Sequence, residues 1–311
     1  METENIFELA ILGGGPAGVA AGVYAARKKI NTIFITKHFH GQSSVSDNIQ
    51  NWIGEVSING LELAKKMEAH IKAVAGDTVK IVENEDVTSI KKEGELFLIQ
   101  TSTVLHKAKT ILVTTGSHRR KLDILGADKF EHKGLTYCAT CDAPMFGGME
   151  VTVIGGGNSA FEAASQLSSY ASKVTILHRS AEFRADPITV QKVLTNEKIT
   201  AVKNAELLEV VGEKFVTGIK YKDKISGAES LLPVSGIFVE IGHLPNTSLV
   251  EGVVELDTHK QIIVDPITQK TKTEGAWAAG DCTNGLYKQN NIAVGDAVKA
   301  LEDIYIYLKT K

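Results

Sequence analysis

Two glycine-rich segments, Gly13-Gly14-Gly15-Pro16-Ala17-Gly18 and Gly155-Gly156-Gly157-Asn158-Ser159-Ala160, constrain this chain more than any other feature. Each follows a short β-prone apolar run, Glu8–Leu12 and Val151–Ile154, and each opens an Ala-rich helical stretch, Val19–Lys28 in the first case and a segment through Ala171 in the second. Strand, tight glycine turn and helix form the opening of a mononucleotide-binding βαβ unit. Its glycines let a pyrophosphate approach backbone N–H groups at the positive end of the helix dipole. A single copy is equally compatible with an ordinary glycine turn. Two copies in the same context predict two dinucleotide sites, and so two nucleotides or one enzyme with two cofactors.

The repetition extends past the glycines. Alternating patterns at Asp86–Lys91 and Glu95–Thr101, and again at Glu206–Val211 and Phe215–Tyr221, predict a small β-meander in each unit. Each unit then closes with an apolar run ending in glycine, Thr110–Gly116 and Gly236–Gly242, the signature of a buried parallel strand delivering its C-terminal end to the ligand crevice. A third strand-to-turn signal, Trp277-Ala278-Ala279-Gly280-Asp281, precedes a terminal helix over Ile292–Leu308, with apolar positions at Ile292, Val294, Ala297, Val298 and Leu301. The expected fold is α/β, with two Rossmann-like three-layer domains, each with its meander, and the tail packed on the first unit. A length of 311 residues accommodates two such domains.

Composition excludes several classes of function. With 34 basic residues, 37 acidic ones, a net charge of −3 and no block of like charge, nothing points to a nucleic acid or a membrane surface as partner. No apolar run approaches the ~20 residues needed to span a bilayer. Met1–Glu8 is polar and acidic where a secretory signal is basic and then apolar, so a cytoplasmic location is expected. Three cysteines are too few, and odd in number, for a secreted disulfide framework. Cys138 and Cys141 stand as C-A-T-C, a spacing used for structural zinc or for dithiol–disulfide exchange. Zinc normally takes four ligands and Cys282 is remote in sequence, so the pair reads as redox and no metal is expected. Asp142, adjacent, suits proton transfer as thiols and thiolates interconvert, or simply a turn or helix cap. Cys282 reads as a small buried hydrophobe.

The two glycine sites differ where an acidic residue usually accepts the adenosine ribose 2′-hydroxyl, at the end of the second strand. Thr32–Ile35 runs into Thr36-Lys37, which leaves ribose recognition unexplained. Lys173–Leu177 runs into His178-Arg179-Ser180, with Arg184 beyond. Arginines there suit a 2′-phosphate and so NADP(H), though by themselves they are equally compatible with a solvated loop.

Together, Gly13–Gly18, the C-A-T-C-D at 138–142, Gly155–Ala160, His178–Arg184 and Gly280-Asp281 resemble the low-molecular-weight bacterial-type thioredoxin reductases, class II of the pyridine nucleotide-disulfide oxidoreductases, over nearly the whole chain. C-A-T-C-D ahead of the second glycine motif is shared with their close relative, the flavoprotein component that reduces alkyl hydroperoxide reductase. The resemblance implies FAD at Gly13, Gly15, Pro16, Ala17 and Gly18, with Thr36, Gln42, Asn51, Gly116, Gly280 and Asp281, and with Lys288-Gln289 near the flavin ring. It implies NADPH at Gly155, Gly157, Asn158, Ser159, His178, Arg179, Arg184 and Gly242. It further implies an FAD domain formed by 1–117 and 245–311, an inserted NAD(P)H domain at 118–244 carrying the dithiol, and a homodimer. In that pattern Cys141 faces the flavin, Cys138 attacks the partner's disulfide and Asp142 has the acid–base role. The implied activity is that of a thioredoxin-disulfide reductase, carrying electrons from NADPH through FAD and the dithiol to thioredoxin or a related small redoxin. The alternatives are a reductase of a peroxiredoxin or alkyl hydroperoxide system, a ferredoxin-fed relative, and a nucleotide-sensing flavoprotein with little turnover. Three positions depart from the family pattern: His40-Gly41-Gln42 for Gly-Gly-Gln, Ser180 for a second arginine, and Lys288-Gln289 as a conservative form of the basic-Gln pair.

Overall fold

The structure, a computed structural model, describes residues 6–45 and 49–310, so the Met1–Glu8 reading lies outside it up to Asn5. The chain opens with β1 (Ile6–Leu12), α1 (Pro16–Lys28), β2 (Thr32–Thr36), α2 (Gly60–Ala75), β3 (Val79–Glu83), β4 (Val87–Glu93), β5 (Leu96–Thr101) and β6 (Leu105–Val113). Helix α1 starts three residues before the Ala-rich run because Pro16 suits the first helical position, where its missing N–H has no partner to lose. It ends on Lys29 in the left-handed region, φ 58°, whose N–H returns to the carbonyls of Ala25 and Ala26. Helix α2 is capped by Asn59, whose side chain accepts from Leu61 N at 2.9 Å.

Strand β6 is long enough to do two jobs. Its Leu105–Ala108 stretch pairs antiparallel with β5, while Lys107–Val113 runs parallel to β1. The first meander is therefore continuous with the main sheet, in the order β3-β2-β1-β6-β5-β4.

The chain leaves through β7 (Ser117–Arg119) and continues with α3 (Ala127–Phe130), β8 (Leu135–Thr136), α4 (Ala139–Asp142), β9 (Glu150–Gly155), α5 (Asn158–Leu167), β10 (Lys173–Leu177), α6 (Pro187–Leu194) and β11 (Ile199–Val202). Then come β12 (Ala205–Gly212), β13 (Val216–Asp223), β14 (Glu229–Pro233) and β15 (Gly236–Glu240), and β16 (His243–Pro245) leads back. Here the parallel sheet, β11-β10-β9-β15-β8, and the meander, β12-β13-β14, are separate. Helix α5 stops at Leu167, short of the expected Ala171. Ser168 Oγ bonds back to Ser165 O, and the N–H groups of Tyr170 and Ala171 both converge on Leu167 O, which turns the chain.

The return segment adds β17 (Ala276–Ala278), parallel to β6, and α7 (Asn290–Thr310). Ala297, Ala300, Leu301 and Ile304 of α7 share one core with α1 and the outer face of β1. Lys28–Glu302 at 2.9 Å and Trp277 Nε1 to Asp303 at 2.9 Å hold the same seam. Two compact units result: residues up to His118 together with Leu244–Lys311, and Arg119–His243. In each, the sheet separates a helix-side core from a second core that contains meander residues, Ile90, Phe97 and Ile99 in the first unit and Val210, Val216 and Ile219 in the second.

Candidate active site

In the first unit, β1 delivers the chain to Gly13 at φ +117°, and the turn leaves no space for side chains where it folds on itself. A Cβ on Gly13 would stand 2.5 Å from Thr114 O, and one on Gly18 only 1.8 Å from Gly13 O. Gly15 is different, because a Cβ there would meet no protein atom within 4 Å. The second unit repeats this, with Gly155 confined by Glu240 O at 2.4 Å and Gly157 open. The outer glycines thus serve the fold, and the open one leaves room for a group that presses on the backbone. Each turn fits the pyrophosphate of a dinucleotide.

Side chains from three distant stretches meet in the first unit. Gln42 Nε2 donates to Ser117 Oγ at 3.0 Å and to Asp281 Oδ2 at 3.4 Å. Asn51 Nδ2 donates to Gln289 Oε1 at 3.2 Å, Asn291 Nδ2 to Asn51 O at 2.7 Å and Ser43 Oγ to Asn290 Oδ1 at 2.9 Å. Gly280, at φ +79°, nests between Ala17 and Ala293 and brings Asp281 to the glycine turn. Lys288 Nζ donates to Thr283 O at 2.6 Å; burial lowers its pKa, and Asp281 opposes that shift. Thr36 commits its hydroxyl to His38 O at 2.7 Å, and Gly116 turns at φ +66°. Cys282 is fully buried, and burial pushes its thiol up to about 11, so it is no nucleophile at neutral pH.

In the second unit the stretch after β10 folds over the glycine turn. Arg184 N and Ala185 N donate to Gly156 O at 2.7 and 3.1 Å, and Asp186 N donates to Asn158 Oδ1 at 2.8 Å. His178 is buried against Gly156, where a Cβ would lie 2.2 Å from its Nδ1, and its Nε2 pairs with Glu182 O at 2.9 Å. Its placement braces the turn. Arg179 and Arg184 are exposed and enter no ion pair among the described residues, Ser159 is also exposed, and Gly242 turns at φ +104°. Glu182, in the loop after β10, pairs through its carbonyl with His178 Nε2, and its exposed carboxylate stands 3.9 Å from Lys203 Nζ.

The dithiol lies in the same unit. The short strand β8 leads to Cys138, which caps α4, and Cys138 and Cys141 form a disulfide with a Cα separation of 5.3 Å. Cys138 Sγ accepts from Cys141 N at 3.2 Å, and Asp142 takes a hydrogen bond from the Thr136 hydroxyl. Both cysteines are half-buried. Ala139, Ala143 and Phe146 anchor the turn in the core around Ala160, Phe161 and Ala164 of α5, so one helix carries the nucleotide turn at its start and supports the dithiol along its side. Sequence reasoning missed Thr136 and Ser117; only Thr136, two residues ahead of Cys138, had a local signal. Among the described residues no cluster of His, Cys, Asp or Glu is placed to hold a metal ion.

The pattern of the pyridine nucleotide-disulphide oxidoreductase family matches residues 7–297. The chain belongs to that family. It is 37% identical over 310 residues to a component protein of the alkyl hydroperoxide reductase of Escherichia coli (strain K12), covering 99% of this chain and 59% of that protein. It is 34% identical to the thioredoxin reductase of Mycolicibacterium smegmatis, covering 97% of this chain and 96% of that one. The structure of thioredoxin reductase from Streptococcus pyogenes MGAS5005 superposes with a TM-score of 0.89 at 30% identity, covering 99% of this chain and 100% of that one. The chain spans about three-fifths of the length of several curated relatives that it matches. It is a flavoprotein oxidoreductase with the two-domain Rossmann-like fold, a redox-active cysteine pair, and FAD and NADPH as cofactors. Among the described residues no helix is long and apolar enough to cross a membrane.

Proposed function

We propose that this oxidoreductase is a thioredoxin-disulfide reductase, acting as a homodimer on thioredoxin or a related small redoxin. The observation that carries the reading is the half-buried Cys138–Cys141 disulfide, fixed on the helix that opens at the nucleotide turn. FAD, when bound, would supply the hydride and electron-transfer chemistry that the side chains lack, linking NADPH to the dithiol.

The chain's own residues do the rest. Once the pair is reduced, Cys141 N–H, which already donates to Cys138 Sγ, favours the thiolate at Cys138. That thiolate attacks one sulfur of the partner's disulfide, forming a mixed disulfide and releasing the partner's other sulfur as a thiolate. Cys141, deprotonated, then attacks Cys138 Sγ, which restores the Cys138–Cys141 disulfide and frees the partner as a dithiol. Asp142, oriented by Thr136, exchanges protons with Cys141 and the leaving thiolate. The unit containing Gly13 to Gly18, Thr36, Gln42, Asn51, Gly116, Gly280, Asp281, Lys288 and Gln289 would hold FAD. The unit containing Gly155, Gly157, Asn158, Ser159, Arg179, Arg184 and Gly242 would hold NADPH, with His178 bracing it.

A second reading, reduction of a peroxiredoxin system, is favoured by the 37% identity to the alkyl hydroperoxide reductase protein. Steady-state NADPH oxidation by the FAD-loaded protein distinguishes the two when a thioredoxin-type disulfide and an oxidised peroxiredoxin are offered separately. Faster turnover with thioredoxin supports the first reading, and turnover with peroxiredoxin alone replaces it. No disulfide turnover at all contradicts both.

A further inference from the structure

We propose that Lys203, at the C-terminal end of β11, is a third cation for the adenosine 2′-phosphate of NADPH, standing in for the charge that Ser180 lacks. The proposal rests on reading the second unit as the NADPH site. The end of the second strand of such a unit is where ribose 2′-hydroxyl and 2′-phosphate are told apart. Here Lys203, one residue past the neighbouring strand β11, lies alongside that strand end. His178 N donates to Val202 O at 2.9 Å, Ala205 N to His178 O at 2.9 Å and Asn204 N to Ser180 O at 3.3 Å, so residues 202–205 run beside 178–180.

An aromatic stack fixes where the ammonium sits. Phe183 packs on His178 at 5.2 Å and edge-on to Phe161 at 4.9 Å, and Lys203 Nζ lies 4.8 Å from the centroid of the Phe183 ring. The stack thus runs from the Gly156 turn, against which His178 packs, out to Lys203. Within 3.9 Å of the same ammonium stands Glu182 Oε2, on a strongly exposed side chain. An exposed pair of this kind contributes little on its own, so Lys203 can exchange its carboxylate partner for a phosphate dianion at small cost. Arg179, Arg184 and Lys203 against Glu182 leave a local excess of two positive charges, which matches the 2′-phosphate. With NAD the same Glu182 faces a neutral 2′-hydroxyl as an acceptor. The pair therefore sets a moderate preference for NADPH.

Titrating NADP⁺ and NAD⁺ into the oxidised FAD-loaded protein by calorimetry tests this without turnover, because the two ligands differ only in the 2′-phosphate. Lys203→Ala is expected to weaken NADP⁺ at least about fivefold and leave NAD⁺ within about twofold, with Lys203→Arg restoring most of the loss. Glu182→Gln is expected to strengthen NADP⁺ and weaken NAD⁺. If the wild type prefers NADP⁺ and Lys203→Ala keeps that preference, the assignment of Lys203 fails while the NADPH reading stands. Equal losses for both nucleotides would make Lys203 a structural residue and overturn the assignment as well. A wild type that binds neither nucleotide overturns both.

Discussion

In the first unit the side chains around the glycine turn come from positions as far apart as Asn51 and Gln289, 238 residues distant in sequence. In the second, the loop that closes over the turn is local; its longest side-chain tie, Asp186 to Asn158, spans 28 residues. Helix α1 is flanked by α2 and α7 and buries Ala17, Gly18, Val19 and Ala21 in its first two turns, whereas Ser159 and Glu162 of α5 face solvent. The same turn is thus completed in two ways. A site that exists only when both chain segments of the unit have folded suits a cofactor that stays, and an exposed local loop suits one that exchanges at each cycle. The equivalent strand ends differ too. Thr114, beside Gly13, satisfies itself on Leu12 O and Gly13 O, while Glu240, beside Gly155, is a half-buried carboxyl.

The cysteines give the largest expected contrast. Cys138→Ser in the second unit is expected to lower turnover on a disulfide substrate at least about a thousandfold, since no other group replaces the attacking thiolate. Cys282→Ala in the first should stay within about twofold of wild type, because that thiol is buried and protonated. Comparable losses in both would erase the distinction between a redox cysteine and a packing cysteine.

The glycines come next. Gly18→Ala has no space for its methyl group and should destabilise the fold by about 3 kcal/mol or more in denaturant titrations. Gly157→Ala meets no protein atom within 4 Å. It should keep its nucleotide-free melting temperature within about 2 °C while losing at least about tenfold in NADP⁺ affinity. Unchanged NADP⁺ affinity would mean that the second turn is open for some other reason.

How much of this was legible in the sequence follows from how local each signal is. The glycine turns, the flanking strands and the C-A-T-C-D are contiguous patterns, and the fold class follows from them. Contacts set by tertiary placement were not legible: nothing in Glu182 or Lys203 announces that the loop and β11 bring them together beside β10. Nor does the spacing of Gln42, Ser117 and Asp281 reveal their meeting. The continuity of the first meander with its sheet depends on β6 being long enough to change partners, which hydrophobic alternation does not encode. Strand β14, with Leu231 exposed, carries too weak an apolar pattern to be singled out.

The smallest expected effect concerns Glu240 against Thr114. Burial raises the Glu240 pKa from 4.5 to about 7, with Arg119 opposing the shift and Glu162 adding to it. Between those values the folded state holds the proton that the unfolded chain has released, so stability falls as pH rises from about 5 to about 8. Glu240→Gln should flatten that stretch, gaining on the order of 1–2 kcal/mol over wild type at pH 8 relative to pH 5 in denaturant titrations. A difference independent of pH would place the Glu240 carboxylate in solvent and remove this contrast between the units.

Reducing equivalents from NADPH are predicted to reach the second unit's dithiol. Anaerobic incubation of the FAD-loaded protein with NADPH, followed by alkylation and peptide mass spectrometry, tests it directly. Labelling at Cys138 and Cys141 that appears only with NADPH, with Cys282 unlabelled until denaturation, is the predicted result. A Cys138–Cys141 disulfide that persists while NADPH is present and the flavin is reduced would mean that electrons from NADPH do not reach the dithiol.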